Sequence, residues 1–192
     1  MTKNRLEAFS DGVIAIIITI MVLELHAPQS DSLSELRAIA PQFGSYVLSF
    51  AFLGIYWSNH HHMLQAISKV NGKVLWANLH LLFWLSLVPF GTAWMGTTGY
   101  AKTPVAVYGC ILLAAAIAYT ILVRALVSLH GRNSSFARAL GSDFKGLLSR
   151  ILYAVSIPLA FVHPAIACAI FVIVAVMWLI PDRRFERALT KD

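Results

Sequence analysis

Charged residues are scarce in this chain of 192 residues: they make up 12% of it, whereas hydrophobic residues make up 58%. A soluble domain carries about 25% charged residues. Apolar runs long enough to cross a bilayer recur along the chain, and the mean hydropathy is +0.72. The composition therefore excludes an ordinary soluble domain and predicts an all-α protein that crosses the membrane several times.

Cysteine is almost absent, since only Cys110 and Cys168 occur and both lie in apolar segments. A disulfide framework is therefore not expected. The sequence also lacks a Gly-rich phosphate loop, a clustered carboxylate pair and a Ser-His-Asp arrangement. We therefore expect neither an enzyme nor a bound cofactor.

The basic residues have a one-sided distribution. A net charge of +6 and a pI near 9.6 are compatible with nucleic-acid binding, but the basic residues lie in the short connections between apolar runs. With the N-terminus in the cytoplasm, all of the 15 Lys and Arg residues except Arg37 and Lys102 fall on the inner side. This asymmetry predicts cytoplasmic N- and C-termini and no nucleic-acid partner.

Six membrane-spanning helices are predicted in a single domain that covers residues 1–192. They cover about residues 7–26, 41–67, 74–95, 104–129, 146–162 and 165–180. Pro89 predicts a kink near the end of the third of these helices. Ser34 is a candidate start for a short helix before the second, and the polar stretch 130–145 predicts a surface helix or loop.

The first helix carries an aliphatic stripe. At about 100° per residue, Ile16, Ile20 and Leu23 fall within one narrow arc. Phe9 shares this arc, and Thr19 lies beside it. Such stripes mostly pack in a core. The alternative is that several copies of the helix surround an axis, so that aliphatic rings form a hydrophobic constriction next to a ring of Thr19 hydroxyls.

Asp11 lies about one turn inside the cytoplasmic end of the same helix, nearly opposite the stripe. An ionisable group inside a membrane is costly and calls for a partner or a function. The groups expected near its depth are Arg5, Ser10, His60, His61, His62 and His80. One interpretation is a hydrogen-bonded network that locks the helices together, and the other is a role in sensing or carrying protons.

Three consecutive histidines, residues 60–62, raise the question of a metal site. Consecutive residues on a helix point about 100° apart, so the three side chains cannot chelate one ion together. The segment contains neither an H-x-x-x-H nor a C-x-x-C pair. No metal site is therefore predicted.

Three motifs point to a known family. They are Arg5-x-x-x-Phe9-Ser10-Asp11-Gly12, Tyr56-Trp57-x-x-His60-His61, and Asn78-Leu79-x-Leu81-Leu82-Phe83 followed by Pro89-Phe90. The chain resembles, through these motifs, the bacterial branch of the lysosomal potassium channel family known as transmembrane protein 175. The resemblance covers the first three membrane helices by motif and the last three only by hydropathy and length.

The resemblance implies a potassium-selective channel without the TVGYG filter of ordinary potassium channels, a sequence that is absent here. Bacterial members are implied to be homotetramers of one six-helix repeat, with the first helix lining the pore. The family's constriction falls on Ile16, its two further hydrophobic positions on Ile20 and Leu23, and its pore threonine on Thr19.

The resemblance also implies a network that holds the first helix against its neighbours. Its candidate members are Arg5, Phe9, Ser10, Asp11, Gly12, Trp57, His60, His61 and His80, and Glu24 is expected near the outer mouth. The resulting interpretation is a homotetrameric, leak-type channel for potassium ions in the bilayer of a prokaryotic plasma membrane. The alternatives are a proton channel or proton-coupled transporter that uses Asp11 and the histidines, and a membrane protein without a pore.

Overall fold

The computed structural model describes residues 2–28, 31–131, 134–140 and 143–179, and every regular element in these ranges is an α-helix. The all-α class predicted from the composition is confirmed. In chain order the helices are α1 (Lys3–Leu23), α2 (Leu33–Ala38), α3 (Ala40–Gln65), α4 (Gly72–Ser86), α5 (Val88–Thr97), α6 (Lys102–His130), α7 (Ser135–Leu140), α8 (Phe144–Val162) and α9 (Pro164–Leu179).

Several of these helices suit a membrane. Four stretches of the described chain are long and apolar enough to cross one, namely Lys3–Leu23, Gly72–Thr97, Lys102–His130 and Phe144–Val162. The other two predicted spans do not meet both criteria, because α3 is long but carries many polar side chains and α9 is apolar but has 16 residues. The protein is a multi-pass membrane protein.

The third predicted span is divided in two. α4 ends at Ser86 and α5 begins at Val88, so the helix is interrupted at Leu87, two residues before Pro89, the position of the predicted kink. Pro89 has no N–H to donate to the carbonyl of Leu85, four residues earlier, which ends the first helix there. α1 also differs from its predicted bounds, since it begins at Lys3 instead of residue 7 and ends before residue 26.

α6 is the central helix, and it packs against α4, α5, α8 and α9. Ala115, Ala118 and Leu122 on its inner face are fully buried. The two alanines allow neighbouring backbones to approach closely, which is how membrane helices gain packing energy. α1 lies at the edge of this bundle and contacts α3, α4 and α5. Within the described part of the chain, one side of α1 is therefore packed against other helices.

The start of α1 and the end of α3 lie at the same end of the bundle. Lys3 Nζ donates a hydrogen bond to the carbonyl of Gln65 over 3.0 Å. The end of α6 is there as well, since His130 Nε2 accepts from the N–H groups of Ser68 and Lys69, both at 3.3 Å. This end therefore gathers the predicted cytoplasmic connections among the described residues.

The opposite end holds the α1–α2 and α5–α6 connections. There the hydroxyl of Tyr100 donates to the carbonyl of Pro41 over 2.9 Å.

Five further basic residues that the charge count assigns to the cytoplasm lie outside the described ranges: Arg132, Arg183, Arg184, Arg187 and Lys191.

Candidate functional site

The aliphatic stripe of α1 is largely uncovered in the single chain. Ile16 is 58% exposed, Ile20 is 42% exposed and Leu23 is 75% exposed. Phe9 is also exposed, about two turns further toward the start of the helix. The stripe is therefore free to contact lipid, water or the same stripe of another copy.

Thr19 lies beside the stripe, and its hydroxyl has a defined direction. The hydroxyl donates to the carbonyl of Ile16 over 2.9 Å. A hydroxyl has one proton to donate and two lone pairs that accept. Because the proton is engaged within the helix, the lone pairs of the exposed Thr19 oxygen are free for a cation or a water molecule.

Glu24 and Gly12 complete this side of α1. Glu24 is the exposed residue that follows the last helical residue, Leu23, at the end of the bundle away from Lys3. Gly12 is exposed, and a side chain added there would meet no other atom within 4 Å. The uncovered side thus runs without interruption from the start of the helix to its acidic end.

The packed side of α1 is held by a chain of buried hydrogen bonds. His60 Nε2 lies 2.7 Å from Asn78 Oδ1, Asn78 Nδ2 donates to Ser10 Oγ over 2.9 Å, and the Ser10 hydroxyl donates to the carbonyl of Leu6 over 2.8 Å. Since the amide oxygen of Asn78 only accepts, His60 donates from Nε2. The chain joins α3, α4 and α1, and His60, Asn78 and Ser10 are fully buried.

A second set of contacts links α1 to α3 at the flank of this chain. Trp57 Nε1 donates to Asp11 Oδ1 over 3.1 Å. One turn closer to the start of α1, Glu7 Oε1 lies 3.1 Å from His61 Nδ1. The carboxylates of Glu7 and Asp11 therefore lie side by side and face α3, although none of the three motifs includes Glu7.

Four of the residues assigned to the network lie outside it, and two of these, Phe9 and Gly12, are exposed on the uncovered side of α1. Arg5 is exposed on the side of the stripe and makes no ion pair or hydrogen bond with any residue that the structure describes. Its position, eleven residues before Ile16, places both on the same side of a helix. His80 accepts a hydrogen bond from Trp84 Nε1 over 2.9 Å within α4. Residues two positions apart on a helix point about 200° from each other, so His80 faces away from the side on which Asn78 contacts α1 and α3.

Polar residues outside the predicted site also hold the helices together. Asn78, the first residue of the third motif, is the link between His60 and Ser10. Ser49, Thr92 and Tyr108 form a second buried cluster. The hydroxyl oxygens of Ser49 and Tyr108 are 2.7 Å apart, and those of Thr92 and Ser49 are 2.6 Å apart. No charge marks these three in the sequence, so only the fold brings them together.

The chain is similar to several proteins that are described as channels. Residues 5–89 match the family model described as the endosomal/lysosomal potassium channel TMEM175. A potassium channel of Chryseobacterium sp. (strain P1-3) is 53% identical over 192 residues, which is the full length of both chains. An endosomal/lysosomal proton channel, TMEM175, of Mus musculus is 31% identical over 116 residues, covering 54% of this chain and 23% of that protein.

The fold is also similar to a solved structure. The crystal structure of a lysosomal potassium-selective channel TMEM175 homolog from Chamaesiphon minutus superposes with a TM-score of 0.78. The two sequences are 27% identical, and the superposition covers 93% of this chain and 96% of that one. The matched region therefore extends well beyond the three motifs, through most of the helical bundle.

Proposed function

This chain belongs to the TMEM175 channel family, and from this premise we propose that it conducts potassium ions passively and selectively through a pore lined by α1. The observation that carries the proposal is the uncovered stripe of Ile16, Ile20 and Leu23 beside the directed hydroxyl of Thr19. Members of the family are channels, so the chain serves ion transport rather than catalysis.

The pore requires several copies of the chain. A single α1 has one uncovered side, so a closed ring of copies around an axis is needed to surround a path for ions. We propose a homotetramer with six spans per subunit in a prokaryotic plasma membrane, with both termini inside. α3, with 26 residues, is about 39 Å long and reaches across the bilayer despite its polar side chains.

Selectivity in this proposal comes from the cost of removing water. A ring of Ile16 side chains offers no replacement for the hydration shell, so passage costs most for the strongly hydrated smaller cation, sodium. The lone pairs of Thr19, three residues further along, offer partial replacement to an ion that has passed the ring. Ile16 is then the narrowest ring and the hydrophobic gate, and Glu24 lies near the outer mouth.

A proton channel or proton-coupled transporter is the alternative. The relative from Mus musculus is described as a proton channel, and Glu7, Asp11 and His61 lie together on this chain. These groups face α3 rather than the stripe, so a proton path would follow the α1–α3 contact and leave Ile16 out of it. The two proposals therefore predict different permeant ions and different essential residues.

Flux into liposomes tests the two proposals together. The purified full-length protein is reconstituted into vesicles loaded with a thallium-sensitive dye or a pH dye. We expect thallium to enter protein-containing vesicles, and the pH dye to respond to a potassium gradient only after a protonophore is added. Proton entry without the protonophore, and without thallium entry, favours the alternative. An intact tetramer that passes neither ion contradicts both.

A further inference from the structure

We propose that Glu7, Asp11 and His61 form a binding site for a divalent transition-metal ion, such as Zn²⁺, that bridges α1 and α3. One carboxylate oxygen from each acid and one imidazole nitrogen lie within 4.8 Å of one another. The three residues come from two helices and were not joined by any motif. The site lies on the packed side of α1, away from the stripe.

The spacing suits a metal of the size of zinc. Ligand bonds of about 2.0–2.2 Å in a tetrahedral site place neighbouring donor atoms about 3.3 Å apart. Glu7 Oε1 and His61 Nδ1 are 3.1 Å apart, so these two donor atoms already have the spacing of neighbouring ligands. Glu7 and Asp11 are four residues apart on one helix, and their flexible side chains only need to close the widest gap by about 1.5 Å.

The imidazole nitrogen is available as a ligand. His61 Nδ1 is buried and, despite its closeness to Glu7, makes no directional hydrogen bond with the described residues. The other ring nitrogen, Nε2, lies 2.8 Å from the side-chain amide of Gln65. Rotating this amide by half a turn presents its oxygen to an Nε2–H. A metal-bound histidine is usually held by such an acceptor on its second nitrogen.

The surroundings orient the acids as well. Trp57 donates to one oxygen of Asp11 and leaves the other oxygen free for a metal. One nitrogen and two carboxylate oxygens are a donor set for borderline divalent ions, and two negative charges balance a dication. A fourth position stays open for water. The site thus has three ligands and an outer hydrogen bond on two of them.

Metal titration of the full-length protein tests the site. After removal of any purification tag, Zn²⁺ is titrated by calorimetry into the protein in detergent, and Co²⁺ is followed by its visible absorption as a four-coordinate ion. We expect one ion per chain, and at least a tenfold weaker affinity in Glu7→Gln and in His61→Gln. His62→Gln is the matched control, since His62 is the next residue on α3 and is not a ligand.

Two outcomes overturn the proposal. One is unchanged Zn²⁺ affinity in both Glu7→Gln and His61→Gln, which means that the ion binds elsewhere or that Glu7 and His61 form only an ion pair. The other is an equal loss in His62→Gln. Size-exclusion profiles that match the unmodified protein show that each variant is folded. Asp11→Asn supplies a third ligand variant if His61→Gln fails this check.

Discussion

The two sides of α1 both carry aliphatic side chains, and they differ in the polar contacts that they make. The side packed against α3 and α4 is joined by the hydrogen bonds of Ser10 and Asp11, whereas the uncovered side is aliphatic. Two adjacent isoleucines show the contrast, since Ile17 is 3% exposed and Ile16 is 58% exposed. In lipid, burying aliphatic groups does not by itself bring helices together, so packing and polar pairs specify which side faces inward.

Replacing Asn78, which links the packed side of α1 to α3 and α4, is expected to cause the largest loss of stability. Asn78→Leu keeps the branched shape of the side chain but leaves the Nε2–H of His60 without an acceptor in a site that excludes water. Ser10 loses the donor from Asn78 and keeps its own bond to the carbonyl of Leu6. The cost is about 1–3 kcal/mol for each unsatisfied group. We expect the thermal midpoint in detergent to fall by roughly 5–15 °C. The measurement is the loss of the intact size-exclusion peak after heating.

Asn59→Leu is the control for this experiment. Asn59 donates to the carbonyl of Ile55 in its own helix, and its amide has no hydrogen bond to another helix among the described residues. Its replacement should leave the midpoint nearly unchanged. Equal losses in the two variants would show that α1 is not held by the Asn78 link.

The adjacent isoleucines give the next largest expected effect. Ile17→Ala removes atoms that are buried in the core of the bundle. We expect a cost of about 1–3 kcal/mol, below the range for soluble cores because the unfolded chain also lies in lipid. Ile16→Ala should change stability by less than about 0.5 kcal/mol. Thermal unfolding of both variants is the measurement. A larger loss of stability in Ile16→Ala than in Ile17→Ala would contradict the assignment of Ile17 to the packed side of α1.

Ile16→Asn is expected to change permeation instead of stability. An amide in the narrowest ring admits water, which lowers the cost of passage for sodium more than for potassium. We expect conductance to rise and the sodium share of the current to increase several-fold, as measured in planar bilayers or by sodium flux. Ile20→Asn is the matched variant one turn away. If it alters sodium permeation and Ile16→Asn does not, the narrowest ring lies at Ile20.

Trp57→Phe is expected to have the smallest effect. It removes the hydrogen bond to Asp11 and keeps an aromatic ring, at a cost of about 1 kcal/mol. The thermal midpoint should fall by roughly 2–4 °C while the preference for potassium over sodium stays the same. An altered ion preference at full stability would place Asp11 in the conduction path and weaken the separation of the two sides.

Periodicity predicted the directions of the side chains around α1, because these directions depend on one helix alone. The common direction of Ile16, Ile20 and Leu23 follows from their spacing, and so does the different direction of Asp11. The all-α class and the family were confirmed as well. The roles of the stripe as pore lining and of Ile16 as gate stay predictions.

Contacts between helices were harder to predict from one sequence. Asp11 contacts Trp57, Glu7 contacts His61, and Ser10 contacts Asn78 rather than a charged residue. These pairings depend on the rotation and depth of three helices relative to each other. Periodicity alone does not supply either quantity. Short polar side chains bond only close neighbours, so an error of one residue in the alignment of two helices gives the wrong pair.

The buried chain from His60 to Leu6 bears on the proton alternative. Every hydrogen in it points the same way, from the imidazole through the amide and the hydroxyl to a backbone carbonyl. A relay must hand each proton onward and then reset, but a carbonyl at its end has no proton to release and an amide in its middle resists protonation. This series of hydrogen bonds therefore does not suit proton transfer by the Grotthuss mechanism, and its role is to hold the three helices together.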